Sequence, residues 1–419
     1  MYLSLRNRPV APGQARSGPV PRTVVLLGFT SLFTDISSEM VAAVLPLFLT
    51  LQLGLSPVAY GFIDGLYNGA SAVSRLGAGI LADRLRNAKA VAVVGYGLSA
   101  ATRPLMLLVG SATGVASLVA VDRVGKGIRT APRDAMISHA SAPADLGRNF
   151  GVHRAMDNVG AMLGPLLAFA ILMALPSQYS AVFVVSTVAA FLGLAVLVLL
   201  VPSQRRRRAQ QADAPDAVPA VRVRDLLRSF TAPQFARLAG VAGLLSLFTV
   251  SDAFLFLSLL ERNDDLAAWF PLLAVGLALT YTVLAVPIGR AADRYGRILV
   301  FLLGHTVLFA VYLLVGGPLG SSVLAVALVL ALLGLFYAAT DGVLAASVSA
   351  VVPAGSRASG LAAAQTVVAL AAFASSVVFG LLLMAIGWSQ AYLVMGAGLA
   401  VAVVVAWRLL PRLETGAVR

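Results

Sequence analysis

Apolar runs of about twenty residues recur along the whole chain, and each can cross a hydrocarbon core about 30 Å thick as a helix. That repetition leaves few folds open. Inside such a core every backbone N–H and C=O must find its partner within the protein, so a spanning chain forms helices or a closed barrel. A barrel shows short segments of alternating polarity, whereas these runs are continuous. The charge content agrees. Only 12% of the 419 residues are charged, about half the share in soluble domains, and the mean hydropathy is +0.90. The chain reads as an all-α membrane protein, with the lipid bilayer as its solvent.

Windows of this kind place twelve helices at 24–53, 58–82, 89–110, 113–131, 149–175, 178–201, 235–260, 266–290, 298–316, 320–350, 358–386 and 388–409. Basic residues fall on alternate loops. Arg84, Arg86 and Lys89 follow the second helix; Arg129, Arg133 and Arg148 lie between the fourth and fifth; Arg205 to Arg208 follow the sixth. Arg290, Arg294 and Arg297 follow the eighth, Arg357 the tenth, and Arg408 and Arg412 the twelfth. Arg129 and Arg133 are read as part of this orienting set. The remaining loops are nearly free of charge, apart from the net acidic Glu261 to Asp265. Positive charge stays on the cytoplasmic side, so both termini are expected inside the cell membrane. This orientation accounts for the net charge of +13 better than nucleic acid does.

The expected organisation is a cytoplasmic tail over 1–23, a six-helix bundle over 24–201, a basic cytoplasmic linker over 202–232, a second bundle over 233–410 and a tail over 411–419. The linker carries neither the aromatic residues nor the folded basic surface of a nucleic-acid site.

The two halves repeat one another. Gly79-Ile-Leu-Ala-Asp83-Arg84 follows the second helix, and Gly289-Arg-Ala-Ala-Asp293-Arg294-Tyr-Gly296-Arg297 follows the eighth, 210 positions later. Ser31-Leu-Phe-Thr34 in the first helix returns as Ser246-Leu-Phe-Thr249 in the seventh. The Pro143-Ala144 loop with Arg148 returns as Pro353-Ala354 with Arg357. Three matches in one order imply two parallel halves related by an axis along the membrane normal.

Charges at the centre of a span cost about 2.5–3.5 kcal/mol each on the insertion scale, so each needs a partner, water or a function. The first helix carries Asp35 and Glu39 one turn apart. Two carboxylates so placed repel, which suits a group that takes up and releases a proton. Asp64, Tyr67, Asn68, Ser71 and Arg75 form a polar stripe on the second helix, and Arg103 lies in the third. Arg123 and Lys126 lie in the fourth, with Arg123 expected to pair with the first-helix carboxylates. His153 and Asp157 lie in the fifth, Asp252 in the seventh, and Tyr337, Thr340 and Asp341 in the tenth. Phe254, Phe256, Phe336 and Tyr337 are candidates for lining a pocket. Gly160, Gly164 and Pro165 offer a smooth, bent face for close helix packing. There are no cysteines, the three histidines are scattered, and no nucleotide fingerprint is present. No enzyme activity, cofactor or metal site is expected.

These residues resemble the major facilitator superfamily. The Gly-x-x-x-Asp-Arg loops at 79–84 and 289–297 and the Arg123-Val-Gly-Lys-Gly127 run carry the resemblance. Gly160-Ala-Met-Leu-Gly164-Pro165 is similar to a fifth-helix motif of drug:proton antiporters, although Ala168-Phe169 stand where that pattern ends in two glycines. Thr34 to Met40 and Arg123 to Asp134 resemble a prokaryotic branch whose substrates are mostly unassigned. The resemblance implies a monomer whose halves rock around a central site. It also implies that Asp83 latches onto the start of helix eleven near Arg357, and Asp293 onto the start of helix five near Arg148. The expected function is proton-coupled export of a small organic compound. Import, export of a metal or metal chelate, and a non-transporting receptor or scaffold are the alternatives.

Overall fold

A computed structural model describes residues 19–70, 87–142, 145–202, 233–263, 266–317, 322–352 and 357–410. Among them the chain is helical and contains no strand. Helix α1 runs Arg22–Leu47 and closes with a π turn, Phe48–Gln52; α2 covers 57–70; α3 is Ala88–Leu105; α4 is Ala112–Ala140; α5 is Leu146–Ala174. Helix α6 is Tyr179–Ala195 with a π turn to Leu200. Helix α7 comes in two pieces, Pro233–Leu247 and Asp252–Leu260. Helices α8, α9 and α10 are Leu266–Tyr295, Arg297–Gly316 and Val323–Val351. The continuous stretch Arg357–Leu409 breaks at Gly387, whose φ of 76° is left-handed. It therefore supplies α11 (357–386) and α12 (388–409). Among the described residues these make twelve helical segments, consistent with the hydropathy reading.

Several boundaries differ from that reading, each for a local reason. Pro132 does not end α4. It is buried inside a helix that continues to Ala140, as neighbouring helices in a membrane allow. Helix α8 likewise carries Pro287 internally and reaches Tyr295. The seventh span is not one helix. Residues 248–251 unwind, and side chains from two neighbours satisfy the freed backbone. Val250 N–H donates to Tyr312 Oη at 2.7 Å, Tyr312 Oη–H donates to the Phe248 carbonyl at 2.8 Å, and Ser375 Oγ–H donates to the Thr249 carbonyl at 2.8 Å. Ser251 then caps the second piece.

Packing repeats between the halves. Helix α1 lies against α5 and α6 as α7 lies against the α11–α12 stretch, and α3 against α4 and α6 as α9 against α10 and that stretch. Glycine permits the closest approaches. A side chain at Gly160 or Gly164 would run into the backbone of α1 at Leu32 and Ile36, so these two glycines pack α5 onto α1.

Across the halves, α5 packs on α8 and α2 packs on α11. The α2 face reads Gly61, Gly65 and Gly69, spaced four apart. A Cβ on Gly65 would sit 2.9 Å from the Phe373 carbonyl, one on Gly61 would collide with the Ser376 carbonyl, and one on Gly380 with the Pro57 carbonyl. At the same end, Phe169 of α5 meets Trp269 of α8 with ring centroids 5.2 Å apart. Tyr60, Phe254 and Phe379 stack edge-to-face at 4.8 Å each way. The halves are therefore sealed together at the end where α2 begins and α11 finishes.

Candidate functional site

Beyond this seal lies a cavity of about 650 Å³ between the halves, walled by α1, α2 and α5 on one side and by α7 to α11 on the other. Its charged groups among the described residues are four carboxylates: Glu39 of α1, Asp64 of α2, Asp252 of α7 and Asp341 of α10. Among the described residues that line it, none is Lys, Arg or His. Asp64 is buried, and its Oδ2 accepts 2.8 Å from Ser376 Oγ of α11, a bond that crosses from one half to the other. Asp252 opens the second piece of α7, where a negative side chain complements the helix dipole, and its Oδ1 accepts 2.9 Å from Tyr337 Oη. The unwound residues Thr249, Val250 and Ser251 also face the cavity. Broken helices at mid-membrane are tolerated where they line such a space. Phe256, Phe270, Phe301, Phe336 and Tyr337 form an aromatic wall.

A second polar cluster fills the interior of the first bundle. Asp122 of α4 lies between two arginines. Arg103 Nη2 donates to its Oδ1 at 2.8 Å, and Arg123 bonds to Oδ2. All three side chains are 5% exposed or less. Arg103 also reaches Ser38 of α1 at 3.1 Å, and the Arg123 guanidinium stacks 3.9 Å above the Tyr67 ring. Toward the α4 C-terminus, Arg129 sits 3.7 Å from Asp35 and over the Tyr96 ring. Arg133 sits 3.7 Å from Asp157 and 3.1 Å from Asp134, and donates to Ser31 Oγ. Ser31 also bonds to His153 at 3.1 Å. The Asp35 and Asp157 carboxyl groups lie close enough to feel each other's charge.

The sequence comparisons decide the family. The model of the Major Facilitator Superfamily matches residues 27–273 and 265–419. The chain belongs to the Major Facilitator Superfamily. It is a transporter, not an enzyme. An uncharacterized MFS-type transporter of Methanocaldococcus jannaschii is 31% identical over 366 residues, covering 86% of this chain and 88% of that protein. An uncharacterized protein of Mycobacterium tuberculosis is 29% identical over 282 residues, 66% of each chain. In fold, the chain is similar to the nucleoside transporter NupG, with a TM-score of 0.76 at 12% identity over 93% of this chain and 99% of that one. It is also similar to a peptide transporter POT, with a TM-score of 0.74 at 16% identity over 94% and 95%.

Within this superfamily member the expected residues divide between the two clusters. Glu39, Asp64, Asp252 and Asp341 meet at the cavity. Asp35, Arg103, Arg123 and Asp157 belong to the interior cluster, and Lys126 lies close enough to Asp35 and Glu39 to feel both charges. The expected pairing is corrected in two respects. Asp35 turns toward α4 and α5 while Glu39 turns to the cavity, with Lys126 near both. Arg123 makes a short ion pair with Asp122, its neighbour in the chain, and also lies near enough to Glu39 of α1 to feel its charge; the cation beside Asp35 is Arg129.

Arg129 and Arg133 are interior ion-pair residues, not orienting charges at the surface, because α4 runs nine residues past the expected end at 131. Phe254 is sealed between Tyr60 and Phe379 and does not line the cavity. At the expected latches, Asp293 is exposed and bonds to Arg297 at 3.1 Å, Arg294 stacks on Tyr295, and Arg148 is exposed near the start of α5. A side chain at Gly289 would meet open space. Gly79, Asp83, Arg84, Ser71 and Arg75 lie outside the described residues, as does the Arg357 side chain.

Asp122, Tyr60 and Ser376 had no place in the sequence reading. Asp122 was within reach of it. The residue falls inside the span expected at 113–131, where the intramembrane rule that singled out Arg123 applies equally.

Proposed function

We propose that this transporter couples proton movement to the export of a small organic compound by alternating access, as a monomer in the cytoplasmic membrane. The bundles at 24–201 and 233–410 rock against each other around the acidic cavity, with both termini in the cytoplasm. The basic residues Arg148, Arg290, Arg294, Arg297 and Arg408 gather at the end opposite the seal, which supports a cytoplasm-facing form closed to the outside.

The approach of Asp35 to Asp157 carries the proton-coupling reading. Two carboxylates placed close together repel when both are ionised, which suits a group that takes up and releases a proton. Tyr96, Lys126, Arg129, Arg133 and His153 surround this pair. A change of charge on the pair alters its ion pairing with Arg129 and Arg133, and α1, α4 and α5 are tied at one point. Glu39, on the same helix as Asp35, carries that change to the cavity.

The test uses inverted vesicles with an imposed pH gradient and a compound selected by thermal shift. Asp35→Asn and Glu39→Gln each abolish gradient-driven flux while insertion and folding persist. Undiminished flux with both residues replaced contradicts the assignment.

A further inference from the structure

The cavity has a charge imbalance that the protein does not resolve. Asp64 and Asp252 each receive a neutral hydroxyl, from Ser376 and Tyr337. A buried ionised carboxylate presents about four acceptor positions, and neutral donors do not offset its charge. Asp341 adds to the imbalance, whereas Glu39 lies near Arg123 and Lys126, and among the described lining residues there is no Lys, Arg or His. Arg103, Arg123, Arg129 and Arg133 form ion pairs with Asp122, Asp35, Asp134 and Asp157.

A second observation is independent of the carboxylates. Tyr60 lines the cavity and is 2% exposed, and its hydroxyl has no hydrogen-bond partner. It lies close enough to Asp64 to feel its charge. A buried hydroxyl without a partner is costly, and this one faces the space where a ligand sits.

We propose that the cavity binds an organic cation bearing a protonated amine, with the amine between Tyr60, Asp64 and Asp252 and the apolar part against the aromatic wall. This rests on the transporter reading of the same cavity. An ammonium group supplies both missing elements: positive charge for the carboxylates and an N–H donor for the Tyr60 oxygen. Phe256, Phe336 and Tyr337 offer ring faces, which attract cations. A bare metal ion fits less well. Among the described residues no three Asp, Glu, His or Cys side chains come together as a metal would need, and a cavity of about 650 Å³ matches a drug-sized ligand.

The test measures equilibrium binding to the purified protein in nanodiscs. Three probes are used: the secondary amine propranolol, the quaternary cation tetraphenylphosphonium, and the isosteric anion tetraphenylborate. Both cations bind and the anion does not. Asp252→Asn and Asp64→Asn each remove one negative charge from beside the ligand and weaken both cations about tenfold. Asp341→Asn, on the open wall, weakens them in the same direction and covers the case in which a buried variant fails to fold. Tyr60→Phe weakens propranolol several-fold and leaves tetraphenylphosphonium unchanged, which also reports an intact fold.

Equal binding of the anion, unweakened binding by the Asn variants, or equal loss of both cations in Tyr60→Phe overturns the proposal. The same samples carry spin labels across the α2–α11 seam. Labels that move on a change of pH, without cation binding, overturn the substrate class and leave the transporter reading standing. Cation binding with labels fixed under every condition does the reverse.

Discussion

Replacing Gly65 by alanine tests whether the α2–α11 seam is a gate. A Cβ at this position would lie 2.9 Å from the Phe373 carbonyl oxygen and 3.1 Å from its Cα. Carbon atoms rest at about 3.5–4.0 Å, and besides Cδ2 of the Phe373 ring at 2.9 Å the obstructing atoms belong to backbone, which cannot swing aside as a side chain can. Relief requires the two helices to separate. Overpacking of this kind costs about 1–3 kcal/mol. That cost falls only on the form in which the seam is closed, because α2 and α11 part in the other form. The ratio of open to closed seam therefore rises by about 5- to 150-fold.

The assay is pulsed electron–electron spectroscopy on labels at Ser56→Cys and Ala385→Cys. Both residues are exposed at the sealed end, and the chain has no native cysteine to interfere. Gly65→Ala shifts the distance distribution toward the longer population. The same variant at Gly289, where a side chain would meet open space, leaves it unchanged. A folded Gly65→Ala protein with the wild-type distribution refutes the reasoning, because the seam would then absorb a methyl group without moving.

Asp122→Asn strips the only close carboxylate from between Arg103 and Arg123 among the described residues; the loss of about 3–5 kcal/mol expected for a broken buried pair appears as a lowered melting temperature in detergent. Cation binding weakens on acidification, because protons and the ligand compete for the carboxylates of the cavity; a pH titration of tetraphenylphosphonium binding reads this, and binding that strengthens in acid contradicts it. Asp293→Asn shifts the balance between the two access states without removing cation binding, measured with the same label pair and probe; loss of binding at an unaltered balance argues against a latch.

The fold was legible in the sequence because twenty-residue apolar runs admit almost one solution in a bilayer. The repeat at 79–84 and 289–297 then marked where the second half begins. What stayed hidden were features that depend on a partner from a distant part of the chain. The break in α7 cannot be read from Phe248 to Ser251 alone, since Tyr312 and Ser375 make it affordable. The role of Arg129 hung on whether Pro132 ends α4, which tertiary packing decides. Asp35 and Glu39 looked like one pair by helical spacing, yet their directions diverge by enough to place one against α5 and the other in the cavity. The carboxylates of the second half were visible singly, but only the closure of α2 onto α11 brings Asp64 to them.

Alternating access is the central claim, and two label pairs at opposite ends measure it most directly. One pair is Ser56→Cys with Ala385→Cys at the sealed end. The other is Gly147→Cys on α5 with Tyr295→Cys on α8 at the far end; both of these residues are exposed. When the buffer is changed from alkaline to acidic, or tetraphenylphosphonium is added, the account predicts that one distance lengthens as the other shortens. Two distances that stay fixed, or that lengthen together, contradict it.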